Sequence, residues 1–167
     1  MLQSALLLVF PLAMAFAAAT DFLTFTIPNK ISAVLIAAFL ALAPFSGLSW
    51  PMLGMHGLTA VGVLIAGFAL FSFGLLGGGD AKLLAAAALW IGHEHLFTYI
   101  TMVAICGGVL GVVLIAYRRL PLPAFLLRRD WATRLHEQGG GMPYGIALAA
   151  AGLWIYPSTP WFAGLAA

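Results

Sequence analysis

Two of the five acidic residues in this 167-residue chain stand apart from the rest. Asp21 follows an apolar run that reaches Ala19, and Asp80 follows Gly77-Gly78-Gly79 and opens another apolar run. Ionisable groups at membrane depth are costly and usually functional. Two carboxylates brought close share one proton, because both cannot ionise side by side. One then acts as a base toward water while the other donates to a carbonyl. That is the chemistry of aspartic proteases. The glycines remove side chains just before Asp80, so the backbone can turn tightly and a substrate strand can approach. A helix starting at Asp80 would favour its charge. The same residues also suit an N-cap after a flexible turn, and Asp21 also suits a capping or interfacial charge ending its span.

The elements that must position these acids follow from composition. The chain is 63% hydrophobic and only 7% charged, against about 25% charge in soluble domains. Its solvent is therefore lipid, and residues 1–167 read as a single membrane domain. Apolar stretches run from Leu2 to Ala19, Ile31 to Phe45, Leu58 to Leu76, Ala81 to Gly92, Leu96 to Tyr117 and Tyr144 to Trp161. The expected fold is all-α, a polytopic bundle of six transmembrane helices. The fourth stretch is short for a span of about 20 residues. It reaches further only by running from Asp80 into His93-Glu94-His95, or by sitting in thinned bilayer. "AMAFAAAT" resembles a signal-peptide cleavage region, but no Lys or Arg precedes Lys30. The first stretch therefore reads as a retained span.

The basic residues set the expected topology. They fall after the first stretch (Lys30), after the third (Lys82) and after the fifth (Arg118, Arg119, Arg128, Arg129, Arg134). With six crossings these connections share one face, which the positive-inside rule makes cytoplasmic, with both termini outside. In the longest connection Pro121 and Pro123 break the exit of the fifth span. "AFLLRRDWATRL" then places Phe125, Leu127, Trp131 and Leu135 near one side, with Arg128, Arg129 and Arg134 toward lipid headgroups. This is the signature of a short interfacial amphipathic helix. Gly139-Gly140-Gly141 gives a flexible joint before the last span.

Other chemistries fail on their spacing. His93-Glu94-His95 lacks the second histidine of HExxH, since Phe97 occupies that place. His56 and His136 are lone histidines in expected connections. Cys106 is the single cysteine, so no thiolate zinc cluster forms. No GxSxG motif is present, and no Lys-Ser or Lys-Thr follows the glycines as a P-loop requires. Gly107 and Gly111 form a GxxxG face suited to helix packing. No metal, cofactor or nucleic acid is expected.

Three motifs together resemble the type IV prepilin peptidase family, the aspartic membrane enzymes with a GxGD motif. They are "DFLTFTIPNKIS", "GGGDAK" and "MPYGIALAAAGL". The resemblance implies that Asp21 and Asp80 are the catalytic pair. It implies supporting roles for Gly77, Gly79, Lys82, Pro28, Asn29, Pro143, Tyr144 and Gly145. Lys82 would favour ionised Asp80 or meet an acidic residue of the substrate, or simply snorkel to the interface. Pro28 and Asn29 would shape the turn into the second span, with Asn29 as N-cap. Tyr144 would orient a site group or serve as an interfacial anchor. The implied substrate is a prepilin with a basic leader and a hydrophobic helix, cut near the cytoplasmic face of a bacterial inner membrane. Larger members resemble fusions with a cytoplasmic CxxC-bearing domain and also N-methylate the mature pilin. This chain has neither the insert nor cysteine pairs. It resembles the short, peptidase-only branch of tight-adherence (Flp-type) pilus systems. The residues also leave open a GxGD protease of other membrane helices, a proton-coupled transporter using Asp21 and Asp80 as relays, and a non-catalytic assembly scaffold.

Overall fold

The computed structural model describes residues 7–123, 125–137 and 141–166, which are helical with no strand. The helices are α1 (Val9–Thr24), α2 (Asn29–Leu42), α3 (Trp50–Ser72), α4 (Gly78–Ile91), α5 (His93–Arg119), α6 (Asp130–His136), α7 (Gly145–Ile155) and α8 (Pro160–Ala166). Short 3-10 turns follow α2 (Ala43–Phe45) and α7 (Tyr156–Ser158). Residues 1–6, where the first span was expected to begin, and Gly139 and Gly140 of the expected joint lie outside the described residues.

Among the described residues two helices are long and apolar enough to cross a membrane, α3 with 23 residues and α5 with 27. At 1.5 Å rise per residue they reach about 35 and 40 Å. Only 17% and 22% of their apolar windows is buried in the protein. Leu58, Ile65 and Phe68 on α3 and Val109 and Val112 on α5 face outward, as lipid-facing side chains do. The apolar helices Val9–Thr24, Asn29–Phe45 and Gly145–Ser158 are shorter.

The helix that looked too short is the centre of the molecule. α4 packs against α2, α3, α5 and α7, and Leu83 and every residue from Ala85 to Ile91 are buried. Its alanines allow this crowding. A Cβ on Gly67 of α3 would lie 3.1 Å from the Ala81 Cβ. Near the C-terminal end of α4, Phe10, Phe39, Trp90, Tyr156 and Trp161 form an aromatic cluster. There Trp90 Nε1 donates to the Leu35 carbonyl at 3.0 Å.

Several expectations about this frame are corrected. α4 does not run into His93-Glu94-His95, because Gly92 adopts φ +78° and His93 opens α5. A side chain at Gly92 would meet the His56 ring at 2.6 Å. His56 is not in a connection. It is buried within α3, its Nδ1 2.8 Å from the Leu89 carbonyl. Asn29 does not cap α2. Pro28 holds that position, and no side chain caps the helix. The amphipathic segment is helical only over the seven residues of α6. Phe125 and Leu127 precede that helix and are exposed, whereas Ala132 and Leu135 are buried. α6 is tied back to the bundle rather than to headgroups alone. The Trp131 ring lies 5.4 Å from Phe22, Arg134 Nη1 donates to the Leu23 carbonyl at 3.3 Å, and Arg118 Nε donates to the Leu135 carbonyl at 2.9 Å.

Candidate active site

Asp21 sits one turn beyond Ala17 on the stripe of α1 that carries Phe10, Met14 and Ala17, all buried. The helix does not end at Ala19. It continues through Asp21, and Thr20 and Thr24 turn their hydroxyls onto carbonyls one turn back. It stops at Phe25, whose left-handed φ of 55° closes the last turn, with its N–H on the Asp21 carbonyl at 2.8 Å. The Asp21 side chain is thereby carried to the inner face of the bundle, 5% exposed. There its Oδ2 accepts the Gly145 backbone N–H at 2.6 Å.

Asp80 reaches the same region from the opposite direction. Gly77 is the N-cap of α4, so Asp80 occupies the third helical position. From that position an acidic side chain folds back onto the capping residue. The Asp80 Oδ2 lies against Gly77, while Oδ1 is buried with no protein partner among the described residues. The glycines act through missing side chains rather than unusual dihedrals. None of the three has positive φ, and the left-handed residue of this turn is Gly74 at 71°. A Cβ on Gly77 would run into Asp80 Oδ2, and one on Gly79 would lie 3.2 Å from the Ile27 Cβ. The expected space for a substrate strand at Gly79 is therefore filled by Ile27.

Asp21 and Asp80 line one cavity of about 850 Å³. Gly77 and Tyr144 share its wall with Phe25, Leu70, Leu75 and Met142, and Arg134 and Glu137 approach from the α6 side. The cavity thus opens at the end of the bundle that carries the Arg-rich connection.

The remaining expected residues divide. Gly145 contacts Asp21 directly. Tyr144 packs its ring over Gly107, where a Cβ would lie 2.6 Å from the ring. The Pro143 carbonyl receives the Ile146 N–H at 3.2 Å and so starts α7. Lys82, Asn29 and Pro28 are not on the cavity wall. Lys82 Nζ instead donates to Asn29 Oδ1 at 2.9 Å, tying α4 to the start of α2. Of the readings open for Lys82, a contact with Asp80 is not seen among the described residues. Sequence reasoning missed Phe25, Met142, Arg134 and Glu137 on the wall. It also missed Gly107 as a seat for Tyr144, although GxxxG had marked that face for packing. Among the described residues no three His, Cys, Asp or Glu side chains converge as a metal site would require.

Fold and site together define a helical membrane protein with two carboxylates turned into a single cavity. Residues 8–112 match the family model described as the type IV leader peptidase family. The match covers most of the chain, including both acids, and the chain belongs to that family. It is accordingly a peptidase of the aspartic, leader-peptidase type. Comparison with curated proteins and with solved structures returns no significant match.

Proposed function

We propose that the protein cleaves the leader of a prepilin at the cytoplasmic face of a bacterial inner membrane, with Asp21 and Asp80 as the catalytic pair. The observation that carries this is the meeting of two acids, remote in the chain, at one cavity. One carboxylate takes a proton from a water held between them, and the water oxygen attacks the scissile carbonyl carbon. The other acid, which holds the shared proton, donates it to the carbonyl oxygen. As the tetrahedral intermediate collapses, the first acid passes the proton it took from water to the leaving nitrogen, the C–N bond breaks, and the hydroxyl returns its proton to the second acid. Asp21 has one oxygen engaged by Gly145 and is fixed. Asp80 keeps a buried oxygen with no protein partner among the described residues, and that oxygen can hold the water or the shared proton.

The bundle crosses the membrane six times with both termini outside, and α4 makes its short crossing inside a collar of other helices. The Arg-rich connection then lies in the cytoplasm, on the side where the cavity opens. A prepilin suits this placement. Its hydrophobic helix lies beside the spans, and its basic leader meets the inner leaflet at the depth of the acids. Family membership favours this reading over a proton-coupled transporter. The test is incubation of the purified protein in detergent with a prepilin of a tight-adherence system and with an unrelated single-span protein. A single cut at the junction of leader and hydrophobic helix, in the prepilin alone, is expected. Equal cutting of both substrates would move the assignment to a general protease of membrane helices.

A further inference from the structure

Helix α7 begins with backbone N–H groups that have no partner within the helix, as every helix does. At Gly145 the missing partner comes from another helix. Asp21 Oδ2 accepts that N–H at 2.6 Å, between residues 124 positions apart. The site has no room for a side chain on Gly145. A Cβ there would lie 2.8 Å from the same Oδ2, 2.9 Å from Ile27 Cδ1 and 3.1 Å from Asp21 Cβ. The preceding residue locks the turn in place. The Tyr144 N–H closes on the Met142 carbonyl at 2.8 Å, and the Tyr144 ring fills the hollow that Gly107 leaves on α5.

From these contacts we infer that the Tyr144-Gly145 turn is a positioning device for Asp21. Tyr144, wedged on Gly107, fixes where α7 starts, and the Gly145 N–H then fixes which oxygen of Asp21 is tied down and which remains for chemistry. This rests on the proposal that Asp21 is catalytic. It adds that the start of α7 acts through Asp21 and not on the substrate. A carboxylate that must share a proton with Asp80 needs one defined orientation, and a displacement of about 1 Å costs on the order of a hundredfold in rate.

The test uses the full chain in detergent and a synthetic prepilin-type substrate, a basic leader joined to a hydrophobic helix. Rates are normalised to folded protein from size exclusion. Asp21→Asn and Asp80→Asn are run alongside, and cutting by either overturns the catalytic pair itself, separately from this inference. Gly145→Ala and Tyr144→Ala are expected to lower kcat by about tenfold or more, leave KM within about twofold, and move the pH–rate profile, since the contact changed is one to a titrating acid. Tyr144→Phe keeps the wedge and is expected to recover most of the kcat lost in Tyr144→Ala. Wild-type kcat in Gly145→Ala or Tyr144→Ala overturns the inference. So does a loss confined to KM, or one that vanishes on normalisation. Tyr144→Phe as impaired as Tyr144→Ala also overturns it, because the hydroxyl and not the wedge would then matter.

Discussion

At the scale of single residues, glycine and acid work as pairs. Gly77 makes room for the Asp80 carboxylate and Gly145 makes room for that of Asp21. Gly77→Ala is therefore expected to displace Asp80 and lower kcat by about a hundredfold, while the protein remains folded by size exclusion. A rate near wild type would show that Asp80 has slack the structure does not suggest. The pairing of acid with glycine before Asp80 could be read from "GGGD", because it is local. The Gly145 contact to Asp21 could not, since it joins residues 124 apart and depends on how α1 and α7 dock. The Lys82 contact was not legible for a related reason. Lys82 is only two residues from Asp80 in sequence, yet its side chain turns to Asn29 on another helix.

At the scale of elements, α4 shows why hydropathy under-reads a buried helix. Its run of alanines has no periodic face, and at 14 residues it spans only about 21 Å. Lipid length rules apply poorly to a helix surrounded by protein. α1 was ended too early because Thr20 and Asp21 look like a boundary. The threonine hydroxyls satisfy helix carbonyls, and the stripe Phe10, Met14, Ala17, Asp21 keeps helical spacing. That stripe was readable, and it places Asp21 inward. The α4–α5 junction was not, because it turns on a left-handed glycine packed on a histidine from a third helix. Gly92→Ala, at φ +78° and against the His56 ring, is expected to destabilise the protein by about 1–3 kcal/mol from backbone strain alone. Thermal unfolding in detergent, monitored by tryptophan fluorescence, measures the loss, and an unchanged midpoint would contradict the packing described.

At the scale of the molecule, the aromatic cluster and the acidic cavity lie at opposite ends of α4. Ten residues separate Asp80 from Trp90 along that helix, about 15 Å. One end is closed by stacked rings, and the other opens among the basic residues. The proposed topology predicts that Arg128→Cys and Glu94→Cys, each in a Cys106→Ser background, react with an impermeant maleimide from opposite faces of the membrane. Labelling from the same face would remove one crossing. The central claim concerns the two acids as one unit, and the most direct measurement is kcat/KM for prepilin cleavage by Asp21→Asn, Asp80→Asn and the double variant. Each single change is expected to lower it by about a thousandfold or more, and the double variant by no more than either single one, as for residues that act together. A single variant that cuts near the wild-type rate, or losses that multiply in the double variant, would contradict a shared-proton pair.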